Sequence, residues 1–263
     1  MNIQTLKQRT VALAGSTTVS LAMFLATPVP VAAGGTDILH FTVTSFATNN
    51  GVEPGADGVV MASQKTQGHA DNQKLTIALA GLATNTPYEL IAAIDSDTNA
   101  TDIGPFTTDA KGNAIFSFTS LGNGHGGGKH SSPLPDGMNP VSLIRSVDIV
   151  NSNAESVLTA DLSAPDKLQY LVKRSLTSGG VKATLMIHAT TRQTQFRLLS
   201  TGLATNTDYV LAINGEAVQT NSSDAKGRLM IKTLTATPPF VLDVRSVELL
   251  DTSSNVVLQT DLP

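Results

Sequence analysis

Oxygen-bearing side chains at alternate positions are the most chemically suggestive feature of the chain: Asp95, Asp97, Asn99 and Asp102 stand within residues 95–104. Calcium loops space their ligands in this way, and extracellular calcium is concentrated enough to fill even a weak site. The stretch is not an EF-hand, because its sixth position is Ala100 and its twelfth Phe106, where that loop requires Gly and a bidentate Glu. The same residues also read as a solvated polar turn. A second candidate is His125 with His130, near Asp136, a set that zinc or copper could use. These histidines lie among Gly122, Gly124, Gly126, Gly127 and Gly128. Closing so glycine-rich a loop around a metal costs much conformational entropy, and the composition suits a flexible connector. His40, His69 and His188 are scattered, and His40 and His188 fall in alternating runs that read as sheet.

No catalytic constellation accompanies these residues. The Gly-x-Ser-x-Gly elbow, His-Glu-x-x-His and the phosphate loop do not occur. Carboxylate pairs of the glycosidase kind meet only in space and leave no local mark. The chain has 3 Tyr and no Trp, which weakens a carbohydrate-binding reading based on stacking. With no Cys, disulfides, thiolate metal sites and a lipid-modified N-terminal Cys are excluded. No cofactor is expected, calcium being the single ion for which the residues offer an oxygen ligand set.

The elements that would position these groups are repeated. Residues 81–88 (Gly-Leu-Ala-Thr-Asn-Thr-Pro-Tyr) return as residues 202–209 (Gly-Leu-Ala-Thr-Asn-Thr-Asp-Tyr). Asp109-Ala110-Lys111-Gly112 returns as Asp224-Ala225-Lys226-Gly227, and Arg145-Ser146-Val147 as Arg245-Ser246-Val247. Residues 37–52 align with 166–181 without a gap. Runs such as Ile38-Leu39-His40-Phe41-Thr42-Val43 alternate apolar and polar residues and stop at Asn-Gly or Gly-Gly, which predicts strands and tight turns. No 3.6-residue period persists after the first 33 residues. Each copy is expected to hold roughly eight strands, at the spacing of sandwiches. The first copy carries two insertions, near 95–104 and 122–137, absent from the second.

Leu82 and Tyr88, like Leu203 and Tyr209, stand six apart. The pattern resembles the tyrosine corner of fibronectin type III and immunoglobulin-like bacterial surface modules. That resemblance implies a sandwich in which the hydroxyls of Tyr88 and Tyr209 bond back to upstream backbone. The expected fold is therefore all-β: two tandem duplicated immunoglobulin-like β-sandwich modules, 34–163 and 164–263, after a cleaved signal peptide, 1–33.

The leader reading rests on Lys7 and Arg9 without acidic company, the apolar run 21–26, and Val31-Ala32-Ala33 before Gly34, the three parts of a secretory signal. Losing Lys7 and Arg9 takes the net charge from −4 to −6, which argues against nucleic acid. No later stretch is long or apolar enough to span a membrane as a helix. The expectation is an exported protein, secreted, at the cell surface or in the periplasm. It is non-catalytic and structural or adhesive, acting through strand edges and loops on a protein partner or by self-association. A secreted or periplasmic protein binding calcium or carbohydrate is the alternative, and a hydrolase stands behind both.

Overall fold

The computed structural model describes residues 37–67, 70–95, 100–120, 131–235 and 241–262, and these form an all-β structure. The strands of the first copy are β1 (Ile38–Phe46), β2 (Thr48–Asn49), β3 (Asp57–Gln67), β4 (Ala70–Ala80), β5 (Pro87–Ile94), β6 (Ala100–Thr107), β7 (Ala114–Thr119), β8 (Ser132–Pro133), β9 (Ile144–Asn151) and β10 (Ser156–Asp161). Those of the second are β11 (Lys167–Ser178), β12 (Val181–Thr190), β13 (Gln193–Thr201), β14 (Asp208–Ile213), β15 (Glu216–Ser222), β16 (Leu229–Thr235), β17 (Ser246–Leu250) and β18 (Val256–Asp261). Short 3-10 turns at Val141–Leu143 and Val241–Asp243 lead into β9 and β17.

Three sheets result. A nine-stranded sheet runs β16-β13-β12-β11-β1-β3-β4-β7-β8, a five-stranded sheet β2-β10-β9-β5-β6, and a four-stranded sheet β15-β14-β17-β18. The large sheet crosses from one copy to the other through antiparallel pairing of β1 with β11, from Ile38↔Lys173 to Thr44↔Lys167. At the centre of that join Phe41 faces Tyr170. Both stand four residues after the Asp that opens their copy, so the two copies meet about a local twofold. Pairing of this kind satisfies the backbone groups of two edges that would otherwise be open.

Alternation decides which side of each strand is covered. Leu39, Phe41 and Val43 of β1 stand opposite Val172, Tyr170 and Leu168 of β11, and all six are buried. The covered faces of both copies are thus one continuous surface. The two smaller sheets lie on it, contributing Leu90, Ile149 and Leu158 from one and Leu211, Leu249 and Leu258 from the other to a shared apolar core. Burying a side chain the size of Phe41 contributes about 1.5–3 kcal/mol.

Part of the first insertion is more ordered than a polar turn. Ala100–Thr107 forms β6, antiparallel to β5 with a bulge between Leu90 and Ile91, so Asp102 sits in a ladder opposite Ile91. Asp97, Asn99, His125 and His130 lie outside the described residues.

The two repeated turn motifs pack against each other. The Leu82 N–H donates to the Gly112 carbonyl at 3.1 Å, and the Leu203 N–H to the Gly227 carbonyl at 3.1 Å. The Tyr88 hydroxyl accepts from the Ala83 N–H at 3.0 Å, and the Tyr209 hydroxyl from the Ala204 N–H at 3.1 Å. Each tyrosine therefore pins the turn five residues upstream of it. Tyr88 also donates to Glu53 at 2.6 Å. Burial and this hydrogen bond push its pKa up to about 12.

Candidate interaction surface

One face of the nine-stranded sheet is covered by the smaller sheets, and among the described residues the other is open. Side chains alternate across a strand, so the open face carries every second residue: His40 and Thr42 of β1, Met61, Ser63 and Lys65 of β3, Lys167, Gln169, Leu171 and Lys173 of β11, Lys182, Met186 and His188 of β12. Gln195, Arg197 and Leu199 of β13, Met230 and Lys232 of β16, and Lys74 of β4 extend it to both sides. Its cations are Lys65, Lys74, Lys167, Lys173, Lys182, Arg197 and Lys232, all exposed. None of the seven joins an ion pair among the described residues. Asp57 is the one carboxylate that shares the face among those residues.

The register arranges these groups in rows. Lys232, Arg197, Met186, Lys173 and Ile38 are successive neighbours across five strands. The adjacent row is Gln195, His188, Leu171, His40 and Lys65. Arg197 stands directly opposite Lys232, and like charges so placed repel and destabilise the pair. Exposed Met61 and Met230 add polarizable apolar contact area.

The outer faces of the two smaller sheets carry the opposite charge. Glu89 of β5, Asp102 of β6, Asp148 of β9 and Asp161 of β10 point outward from the five-stranded sheet, in register with outward Ile91, Ser146 and Thr159. Asp208 of β14, Glu248 of β17 and Asp261 of β18 do so from the four-stranded sheet. The strands of the four-stranded sheet contain no Lys or Arg, and those of the five-stranded sheet only Arg145. The molecule is charge-segregated, basic on one broad side and acidic on the other.

Arg145 is occupied elsewhere. It meets Asp95 at 3.2 Å and Asp243 at 2.8 Å, while Arg245 meets the same Asp95 oxygen at 2.8 Å. Asp95 and Arg145 of the first copy thereby meet Arg245 and Asp243 of the second. Burial acts to raise the Asp95 pKa, but the hydrogen bonds and charges of Arg145 and Arg245 outweigh it and hold the carboxyl below the usual carboxylate range.

Of the candidate calcium ligands, then, Asp95 is engaged by two guanidinium groups and Asp102 lies in a strand facing outward. Among the described residues no three His, Cys, Asp or Glu side chains converge as a metal site. No helix among them is long and apolar enough to cross a membrane.

Compared with models of protein families and with curated proteins, the chain matches none.

Neither the loops nor the net charge of the chain points to this surface. A signal was present. In the alternating runs that build the nine-stranded sheet the charged positions hold Lys or Arg apart from Asp57 and Asp71, whereas in β5, β9, β10, β14, β17 and β18 they hold Asp or Glu apart from Arg145. Sorting the alternation by charge sign would have separated the two kinds of sheet.

Proposed function

We propose that the chain is a non-catalytic structural or adhesive protein, exported to the cell surface or extracellular matrix, that works through its sheet surfaces and edges. On this reading it is two tandem immunoglobulin-like sandwich modules, joined edge to edge through β1 and β11, behind a cleaved leader. The observation that supports it most is the open face of the nine-stranded sheet. It is broad, bears seven cations without ion-pair partners among the described residues, and is far wider than a ligand pocket. Two clefts among the described residues suit small-molecule chemistry poorly. One, of about 410 Å³, lies between Phe46, Val59, Ala80 and Ile115 and has Asp57 as its only titratable lining group. Another, of about 370 Å³ beside Pro165 and Thr194, has none. Ligand sites ordinarily join an apolar pocket with several converging polar groups.

Fractionation of the native host tests this reading. The expected result is retention at the surface or in the matrix, unchanged when residues 122–137 are deleted. Protein free in the medium, with a hydrolase activity abolished by that deletion, would overturn it.

A further inference from the structure

We propose that the basic open face of one copy seats on the acidic backs of the two smaller sheets of a second copy, so that the molecules stack front to back. The inference rests on the structural reading above and names its partner. Three features of the surfaces fit each other. The first is charge: Lys65, Lys74, Lys167, Lys173, Lys182, Arg197 and Lys232 on the front match in number Glu89, Asp102, Asp148, Asp161, Asp208, Glu248 and Asp261 on the back. The second is extent: the front is nine strands wide, and the two back sheets together have five and four.

The third is area. Nine strands at about 4.8 Å span roughly 43 Å, and strands of nine to twelve residues reach about 30 Å or more. The front is thus of order 1,300 Å², and the back, whose strands are shorter, of order 900 Å². Contact over about two thirds of the back, counted on both partners, reaches the lower end of what stable interfaces bury, and fuller contact exceeds that minimum. The proposed contact also accounts for Arg197 directly opposite Lys232: a carboxylate from the next molecule turns that repulsion into attraction.

Front and back are different surfaces on opposite sides of a two-layer molecule, so the contact is heterologous and does not close on itself. It propagates as an open stack. Two sheet layers per molecule, each about 10 Å from the next, set an axial repeat of about 20 Å.

Sedimentation of the full chain at low and at about 1 M salt, where charges are screened within about 3 Å, tests the proposal. Wild-type protein is expected to form concentration-dependent oligomers that salt disperses. A front variant, Lys173→Glu with Arg197→Glu, and a back variant, Glu89→Lys with Glu248→Lys, should each weaken association by about a hundredfold or more, since juxtaposed like charges cost several kcal/mol. An equimolar mixture of the two should associate again, because each retains the surface the other lacks, and this recovery also shows that both have folded. Wild-type protein that stays monomeric at low salt overturns the proposal, as does a mixture that fails to recover. Wild-type monomer that binds dextran sulfate, with the front variant losing it, overturns it as well and assigns the face to a soluble polyanion. In either monomeric case, retention at the cell surface would leave the structural reading standing, so the two failures are distinguishable.

Discussion

Replacing Gly227 with Ala should be among the most damaging single-methyl additions the chain can receive. Gly227 has φ +67°, and a Cβ there would lie 2.2 Å from the Leu203 carbonyl oxygen and 3.2 Å from its carbon. The backbone conformation alone costs an L-residue about 1–2 kcal/mol. Ordinary contact needs about 3.4 Å or more, so one of the two repeated turns must retreat by over an ångström. That displacement breaks the hydrogen bond from Leu203 N–H to the Gly227 carbonyl, worth about 1 kcal/mol and more if a partner is left unsatisfied. The expected loss is about 3–5 kcal/mol. Gly215 supplies the control: its φ is +79°, but a Cβ there meets nothing within 4 Å, so Gly215→Ala should cost only about 1–2 kcal/mol. Urea unfolding followed by far-UV circular dichroism reads both, and a difference of ~2 kcal/mol separates the midpoints by about 0.7–2 M at typical slopes. Equal losses would show that the turn motifs are not packed as described.

Asp95→Asn should cost up to about 1 kcal/mol at neutral pH, since the carboxylate is half exposed and its two ion pairs are screened. Because the folded-state pKa of Asp95 lies below its ordinary value, its contribution is full above the unfolded pKa and disappears as pH falls through the folded one, so the gap between variant and wild type should close in acid unfolding curves. Tyr88 and Tyr170 have pKa values near 12, each raised chiefly by burial. Two of the 3 tyrosines should therefore resist ionisation in an ultraviolet titration up to about that pH, and stability should fall between the ordinary tyrosine value of 10.0 and 12 as the unfolded chain releases those protons first. Residues 165–263 expressed alone should form a dimer through β11 paired with itself about Tyr170, dissociating on dilution in light scattering; a monomer at all concentrations would show that the β1–β11 join is not self-complementary.

How much was legible can be judged residue by residue. The alternation in Ile38–Phe46 states that a strand is present and which side of it is apolar, because the side-chain period of a strand is fixed at two. The repeated Gly-Leu-Ala-Thr-Asn and Asp-Ala-Lys-Gly turns are equally plain, since each demands a backbone that few other residues adopt. Their contact, Leu203 against Gly227, is not, because it joins segments over twenty residues apart. The pairing of β1 with β11 is also silent in the sequence: it is made by backbone groups common to every residue, and both strands look like ordinary edges. The basic face was hidden for the same reason. Lys65, Lys173 and Arg197 are remote along the chain, and only the sheet order through β1 and β11 makes them neighbours. The histidine loop and the middle of the Asp95 stretch lie outside the described residues, so the readings of His125, His130, Asp97 and Asn99 stand as they did from the sequence.

Arg174, on the covered side of β11, holds both ends of the described chain. Its guanidinium donates to the Asp261 carbonyl at 2.6 Å and lies 4.0 Å from Asp37. The end of the second copy therefore stands beside the start of the first. The same spacing is bridged covalently between Leu162 and Asp166 by Ser163, Ala164 and Pro165, and Leu162 and Leu262 are anchored alike, each N–H donating at 2.7 Å to Arg145 and Arg245 respectively. The order of the two copies along the chain is then a matter of where the circle is cut. Joining residue 262 to residue 37 through three residues and opening the chain between 162 and 166 would give a circular permutant that reads the second copy first yet keeps every strand pair, at the kind of exposed junction where such rearrangements are tolerated.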